Sequence, residues 1–280
     1  MPSTRRNSSN TSRWLTDLLA EMIINLGRQF RTSKVPNIDG SFWFVKILTT
    51  AMGEATSDYF VHHFAPALAV LGAGVIFVVV LVWQLRFPRF STTSYWLAVV
   101  MVSVFGTMCA DVLHVGLGVP YVVSAACFAF ALTVIFLAWH HVEGTLSIHS
   151  ITSARRELFY WATVTATFAL GTALGDMAAT TLHLGYFSSG LLFLGLFLVP
   201  ALGYRLIKMN AIGTFWACYI LTRPLGASFA DWMGVSHERG GLNWGNGNVA
   251  LLFSTAIAVV VAFLVFKQRR RSISTSSLGW

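Results

Sequence analysis

The sequence has little charge for its length. Only 11% of its 280 residues are Asp, Glu, Lys or Arg, and 55% are hydrophobic, whereas soluble domains carry roughly 25% charged residues. A soluble domain of this size would need more charge to cover its surface. Residues 64–85, 187–203 and 249–266 contain no acid and no base, and each is close to the roughly 20 residues that cross a bilayer. The composition predicts an all-α, polytopic membrane protein.

Cysteine is also scarce, and a secretory signal is missing. The three cysteines lie within apolar stretches, which excludes a disulfide framework. The N-terminal segment WLTDLLAEMIINLGRQF (14–30) is interrupted by three charged residues, so it does not resemble a signal peptide. Its apolar spacing instead predicts an amphipathic helix, which lies either on the inner membrane surface or against the protein.

The remaining apolar stretches predict eight transmembrane helices. Almost all of the 19 Lys and Arg residues lie in the two tails and in the loops on the same side as the tails. Because basic residues gather on cytoplasmic loops, we expect both termini in the cytoplasm and the protein in the inner (plasma) membrane. The net charge of +8 is therefore a topology signal and gives no reason to expect nucleic acid as a partner. The predicted spans are 42–63, 65–85, 94–115, 120–140, 158–181, 187–207, 211–233 and 247–266.

A four-fold internal repeat organises these spans. Four segments align without gaps, and in each an aromatic residue precedes Trp, with Gly ten and Asp fifteen residues after the Trp. The segments are FWFVKILTTAMGEATSD (42–58), YWLAVVMVSVFGTMCAD (95–111), YWATVTATFALGTALGD (160–176) and FWACYILTRPLGASFAD (215–231). The repeated residues are Trp43, Trp96, Trp161 and Trp216; Gly53, Gly106, Gly171 and Gly226; and Asp58, Asp111, Asp176 and Asp231.

Each copy predicts one unit of two helices. Because a unit contains an even number of spans, the four units must run in the same direction through the membrane. The predicted membrane domain is 39–267, with units at about 39–87, 92–141, 157–208 and 211–267. It lies between a cytoplasmic tail, 1–38, and a basic cytoplasmic tail, 268–280.

The motifs GEATSD, FALGTALGD, LTRPLGAS and GGLNWG carry a resemblance to a known family. Over residues 34–267 the chain resembles bacterial membrane proteins built from four copies of a two-helix, Trp-containing repeat of unknown function, known as uncharacterised membrane-anchored proteins. The resemblance implies the eight-helix fold. It implies no activity.

The spacing within the repeat assigns different roles to its residues. Each Gly is followed four residues later by another small residue, and such pairs let helices approach closely, so we expect the odd-numbered spans to form an inner bundle. The glycines and the tryptophans are predicted to be packing residues, and we also expect the tryptophans to mark the cytoplasmic aromatic belt. With a rise of about 1.5 Å per residue, the glycines then lie near the midplane and the aspartates in the outer third.

Polar residues inside the spans are the candidate site, because ionisable groups in a bilayer are costly and mark functional positions. The predicted ion-binding residues are Glu54, the four repeat aspartates, Thr50, Thr107 and Thr172. Auxiliary candidates are Lys46, Arg223, His62, His114 and His183. A plainer interpretation remains for each: an aspartate bonds a loop or Arg223, Lys46 snorkels to the inner surface or pairs in the bundle, and the histidines are loop residues.

These residues favour a transporter of small cations over an enzyme. Carboxylates with imidazoles suit divalent metals such as manganese, iron or zinc, and protonation of the acids would release the ion. The expected partners are the bilayer, a small cation and protons, with a divalent metal as cargo and no certain cofactor; the oligomeric state stays open. The alternatives are a non-transporting scaffold or sensor and a haem- or quinone-binding redox protein. A hydrolase is disfavoured, since neither HExxH nor GxSxG occurs.

Overall fold

Eight long helices make up the part of the chain that the structure describes. The computed structural model describes residues 32–276, without the side chains of Val115 and 271–276. The amphipathic helix predicted at 14–30 lies outside these residues. The all-α class is confirmed. The helices are α1 (Gly40–His63), α2 (Pro66–Arg86), α3 (Thr92–Asp111), α4 (Tyr121–Glu143), α5 (Ala154–Asp176), α6 (Gly185–Ile207), α7 (Ala211–Gly234) and α8 (Asn246–Ser276).

The first helix of each unit starts at a polar side chain that accepts a hydrogen bond from a backbone N–H of its first turn. These N-caps are Asp39, Ser91, Ser153 and Asn210. No such cap opens α2, α4 or α6. Asp39 also accepts a hydrogen bond from the Ser41 hydroxyl, which holds the pKa of Asp39 below its usual value. The caps therefore repeat with the units and fix where each first helix begins.

Burial divides the helices into an inner and an outer set. Most buried residues lie on α1, α3, α5 and α7, whereas α2, α4, α6 and α8 expose apolar side chains along most of their length. Within residues 32–276, six helices are long and apolar enough to cross a membrane, namely α2, α3, α4, α5, α6 and α8. The other two, α1 and α7, carry buried charged side chains. These apolar helices mark a membrane protein.

The repeat glycines connect the inner helices in a closed cycle. A Cβ added to any of them would overlap the side chain that lies three residues before the glycine of the next unit, and the fourth unit closes on the first. The pairs are Gly53 with Ser103, Gly106 with Phe168, Gly171 with Arg223, and Gly226 with Thr50. The glycines thus lie where α1, α3, α5 and α7 approach one another around a central axis.

The outer helices follow the same cyclic order. Each packs mainly on the inner helix of the following unit: α2 on α3, α4 on α5, α6 on α7, and α8 on α1. Two inner helices, α3 and α5, continue past their repeat aspartates as π-helical turns at Val112–Gly116 and Met177–Thr181. The last helix, α8, continues to Ser276, beyond the boundary predicted at residue 267.

The repeat tryptophans are core residues, and the prediction that they form an aromatic belt at the membrane surface is wrong for three of them. Trp96, Trp161 and Trp216 are buried, and Trp43 is partly buried. In each unit the aromatic residue before the Trp packs on the Trp of the next unit, with ring centroids 5.6–6.3 Å apart. These pairs are Phe42 with Trp96, Tyr95 with Trp161, Tyr160 with Trp216, and Phe215 with Trp43; we call them the aromatic layer.

Candidate functional site: an acidic cluster around a buried arginine

Three carboxylates from three different units meet on the axis of the inner helices. Glu54 of α1, Asp176 of α5 and Asp231 of α7 each bring an oxygen atom within 4.8 Å of the other two. Glu54 and Asp231 are buried, while Asp176 is partly exposed. The three oxygens are therefore close enough to share one ligand.

The remaining two repeat aspartates surround this trio. Asp58 accepts a hydrogen bond of 3.0 Å from the Asn246 side-chain amide, and Asp111 accepts one of 3.2 Å from the Ser57 hydroxyl. Each of the four aspartates has Glu54 as an electrostatic neighbour. We call Glu54 and the four aspartates the acidic cluster. Asp58, Asp111 and Asp176 are partly exposed, so the cluster is accessible from one end of the inner bundle.

Arg223 lies beneath the acidic cluster and binds residues from all three other units. Its side chain is 0% exposed. Its Nη2 atom, with two N–H bonds, lies within hydrogen-bonding distance of three acceptors, namely Glu54, Thr107 and, at 2.7 Å, Thr172. Its Nη1 atom donates to the Thr50 carbonyl at 3.3 Å. A buried ion pair with these additional hydrogen bonds compensates much of the cost of desolvating both charges. Arg223 thus connects the four inner helices at one point.

Two of the three threonines predicted as ion ligands bind this arginine with their hydroxyls, and the third bonds backbone carbonyls. Thr107 and Thr172 accept from Arg223 and donate their own protons to the Ser103 and Phe168 carbonyls at 2.8 and 3.2 Å. The Thr50 hydroxyl donates to backbone carbonyls. With these bonds in place, the three hydroxyls support the arginine and the helix contacts rather than line the acidic cluster.

Lys46 is buried on α1 about two turns before Glu54, so the first of its two expected roles, snorkelling to the inner surface, is wrong. It is 1% exposed, and its Nζ atom makes no hydrogen bond to the described residues. The ammonium position lies 3.8 Å from the centroid of the Phe168 ring and 4.2 Å from that of the Tyr219 ring. The Phe168 ring also faces the Arg223 guanidinium, at 5.5 Å. Phe168 therefore separates two basic groups on the axis.

Among the described residues, His62, His114 and His183 make no hydrogen bond to a carboxylate of the cluster, although His62 acts electrostatically on Asp58. His62 is exposed and bonds the Asp58 backbone carbonyl at 2.7 Å, and His114 bonds the Val119 carbonyl at 2.6 Å. His183 is exposed in the loop before α6. Within residues 32–276, the carboxylate trio has no imidazole nitrogen within the same 4.8 Å. The site is one of carboxylate oxygens.

Family comparison agrees with the repeat that this geometry displays. Residues 41–90, 94–145, 159–209 and 214–270 each match the family described as Repeat of Unknown Function (DUF347). The chain belongs to this repeat family. No curated protein and no solved structure matches it.

Comparison of equivalent positions in the four DUF347 repeats explains the asymmetry of the site. The residue after the repeat glycine is Glu54, Thr107, Thr172 and Ala227 in successive units, and the first three of these bind Arg223. Three residues before the glycine the units carry Thr50, Ser103, Phe168 and Arg223. One charged pair, Glu54 with Arg223, therefore replaces small or neutral residues at otherwise equivalent positions of the ring.

Side chains fill the central axis of the inner helices between Lys46 and the end that carries the repeat tryptophans. The Tyr95 and Tyr160 hydroxyls are buried and 2.6 Å apart, and the Tyr219 hydroxyl is buried beside Tyr160.

Beyond the aromatic layer lies a second buried ion pair, between Lys34 and Glu157. Sequence reasoning missed this pair because it assigned residues 1–38 to a tail. It also missed Asn246, although the GGLNWG motif precedes the helix that Asn246 opens.

Proposed function

We propose that this protein is a membrane transporter of small cations, with divalent metal ions as its cargo and protons as the coupled ion. In this proposal eight helices cross the inner membrane as four parallel units, with both termini in the cytoplasm. The cyclic contacts between equivalent residues of successive units support the parallel arrangement. The basic tails support the orientation.

The observation that carries the proposal is the convergence of Glu54, Asp176 and Asp231. Oxygen ligands bind Mg²⁺, Mn²⁺ or Ca²⁺ at about 2.0–2.6 Å, so two of them on one ion lie at most about 4–5 Å apart. The three carboxylate oxygens are within 4.8 Å of one another, which fits this limit. Because imidazoles are not part of the trio, oxygen-preferring cations fit better than zinc.

The charge balance of the site supports a cation as ligand. Five carboxylates surround the upper part of the axis, and Arg223 is the base that pairs with one of them, Glu54. Buried charges of one sign need compensation, since each costs several kcal/mol when desolvated alone. Cations or protons bound by the remaining acids supply it.

A transporter held in one conformation is open at one end of its path and closed at the other. The two ends of the axis differ in this way. The acidic cluster is accessible at the end that carries the repeat aspartates, which the proposed topology assigns to the external side. Arg223, Lys46 and the aromatic layer fill the axis toward the cytoplasm. Transport then needs a second conformation in which these side chains separate.

Uptake and efflux assays test the proposal. In cells or proteoliposomes supplied with Mn²⁺, Asp176→Asn and Asp231→Asn should lower the transport rate by at least about 10–100-fold, the loss typical of disrupting a metal site. Glu238→Gln removes an exposed carboxylate of the Ser236–Gly241 loop and serves as the matched control. Wild-type rates in both aspartate variants, with normal membrane insertion, would contradict the proposal.

A non-transporting sensor is the second candidate, and the filled axis favours it. Arg223 joins all four inner helices, so a cation that binds at Glu54 could change their packing without crossing the membrane. Mn²⁺ binding to the purified protein without flux in proteoliposomes would support this function over transport.

A further inference from the structure

Lys46 is a buried basic group that the proposed cation site does not use. Its Nζ atom is buried and has no hydrogen-bond partner among the described residues. Buried polar groups are almost always hydrogen-bonded. A lysine that is not bonded in this way needs another explanation.

Two opposing effects act on the charge of Lys46. The Phe168 and Tyr219 rings stabilise an ammonium at 3.8 and 4.2 Å, by about 2 kcal/mol or more for a desolvated cation–π contact. Removal from water opposes the charge by several kcal/mol. The Arg223 guanidinium also opposes the charge, so a change in how well Arg223 is neutralised shifts the balance between the protonated and the neutral amine.

The groups that face Lys46 come from three neighbouring helices. Arg223 of α7 is the charged group that acts on it electrostatically. Tyr219 of α7 contacts it directly, and Tyr160 of α5 and Tyr95 of α3 continue the hydroxyl series toward the tryptophan side. On α8, Lys267 acts on Asp39 at the start of α1 and not on Lys46. Apart from burial itself, the charge of Lys46 therefore depends on how well Arg223 is neutralised.

Glu54 connects the two basic groups to the cation site. Its carboxylate binds Arg223 and also belongs to the trio with Asp176 and Asp231. A cation in the trio attracts the Glu54 carboxylate and so weakens its neutralisation of Arg223. The guanidinium, with its positive charge less compensated, then repels an ammonium at Lys46.

We propose that Lys46 carries the proton that is exchanged for the cation, an inference that rests on the proposed transport function. When the cation binds, the N–H bond of the Lys46 ammonium breaks and the electron pair stays on Nζ. The proton leaves to water in the second conformation, in which the side chains on the tryptophan side separate. When the cation leaves, Glu54 neutralises Arg223 again and Lys46 takes up a proton. One group thus couples the two ions without direct contact between Lys46 and the acidic cluster.

Proton release on Mn²⁺ binding tests this role. The full-length chain in detergent, in weak buffer with a pH-sensitive dye, is titrated with Mn²⁺ as wild type, as Lys46→Met and as Lys267→Met, the matched control at an exposed lysine. Lys46→Met should release about one proton fewer per bound ion. Its apparent Kd should correspondingly depend less on pH, by a factor of about ten per pH unit. Lys267→Met should match the wild type.

Equal proton release by Lys46→Met and the wild type would overturn the inference while leaving cation binding intact. If Mn²⁺ does not bind the wild type, the proposed function fails. The titration of Lys46 is then followed in metal-free protein by recording the near-ultraviolet absorption of the tyrosines, including Tyr219, as a function of pH. A pH-dependent change in the wild type that disappears in Lys46→Met supports a titrating lysine, and identical spectra overturn it. Lys46→Gln replaces the methionine variant if that variant does not fold.

Discussion

Replacement of Arg223 by methionine is the perturbation whose effect follows most directly from the structure. The guanidinium is fully buried and binds Glu54, Thr107, Thr172 and the Thr50 carbonyl. Methionine keeps the Cβ and Cγ atoms that pack on Gly171, so packing at the glycine is preserved. What is lost is the charge and its hydrogen bonds.

The expected destabilisation is about 3–5 kcal/mol, the cost of breaking a buried ion pair by removing one partner. A second effect has the same sign, because Glu54 would then lie near Asp176 and Asp231 without a cation. At about 2–4 °C per kcal/mol for a chain of this size, the midpoint of thermal unfolding should fall by about 6–20 °C. Adding Glu54→Gln to Arg223→Met removes the unpaired charge and should recover part of this loss.

Thermal unfolding of the detergent-purified variants, followed by tryptophan fluorescence with a chelator present, measures both effects. Glu238→Gln should unfold at the wild-type temperature because this carboxylate is exposed. An Arg223→Met midpoint within a few degrees of the wild type, or a double variant no more stable than Arg223→Met, would refute the view that this pair connects the inner helices.

Three further predictions concern packing, capping and topology. Gly53→Ala places a Cβ against Ser103 and should cost about 1–3 kcal/mol in unfolding free energy, whereas Gly72→Ala, with no atom within 4 Å, should cost nothing measurable. Asp39→Ala removes the cap of α1 and should cost about 1 kcal/mol at neutral pH. Because the Ser41 hydrogen bond lowers the pKa of Asp39 in the folded protein, this difference should begin to shrink as the pH falls towards the ordinary value of 3.8, and it should vanish only below the lowered pKa of the folded protein. A fluorescent protein fused to the C-terminus should fluoresce, and a phosphatase active only outside the cytoplasm should be inactive there.

The repeat was the part of the fold that the sequence predicted best. The ten- and fifteen-residue spacings placed the glycines and aspartates correctly within four helices, and the chain belongs to a four-repeat family. The tryptophans were misassigned because the belt rule assumes that a Trp near a helix end faces lipid. Here each Trp instead packs on the aromatic residue that lies directly before the Trp of the previous unit in the ring. Spacing along one helix does not reveal this contact.

The asymmetric residues of the site were harder to predict than the repeated ones. Nothing in a single helix indicates that Thr107 and Thr172 accept from Arg223, since that depends on four helices meeting at one level. The sequence also left open whether Lys46 snorkels or lies inside the bundle, because the Phe168 and Tyr219 rings that surround it come from other units. Once the structure shows one glycine contact, the repeat alignment gives the equivalent ones, including Gly171 with Arg223.

The most direct test of the acidic cluster as a cation site is anomalous scattering from crystals grown with Mn²⁺. The account predicts one anomalous peak within about 2.0–2.6 Å of oxygens from Glu54, Asp176 and Asp231, absent in Asp176→Asn crystals grown in the same solution. Well-ordered carboxylates with no peak between them at saturating Mn²⁺ would contradict it.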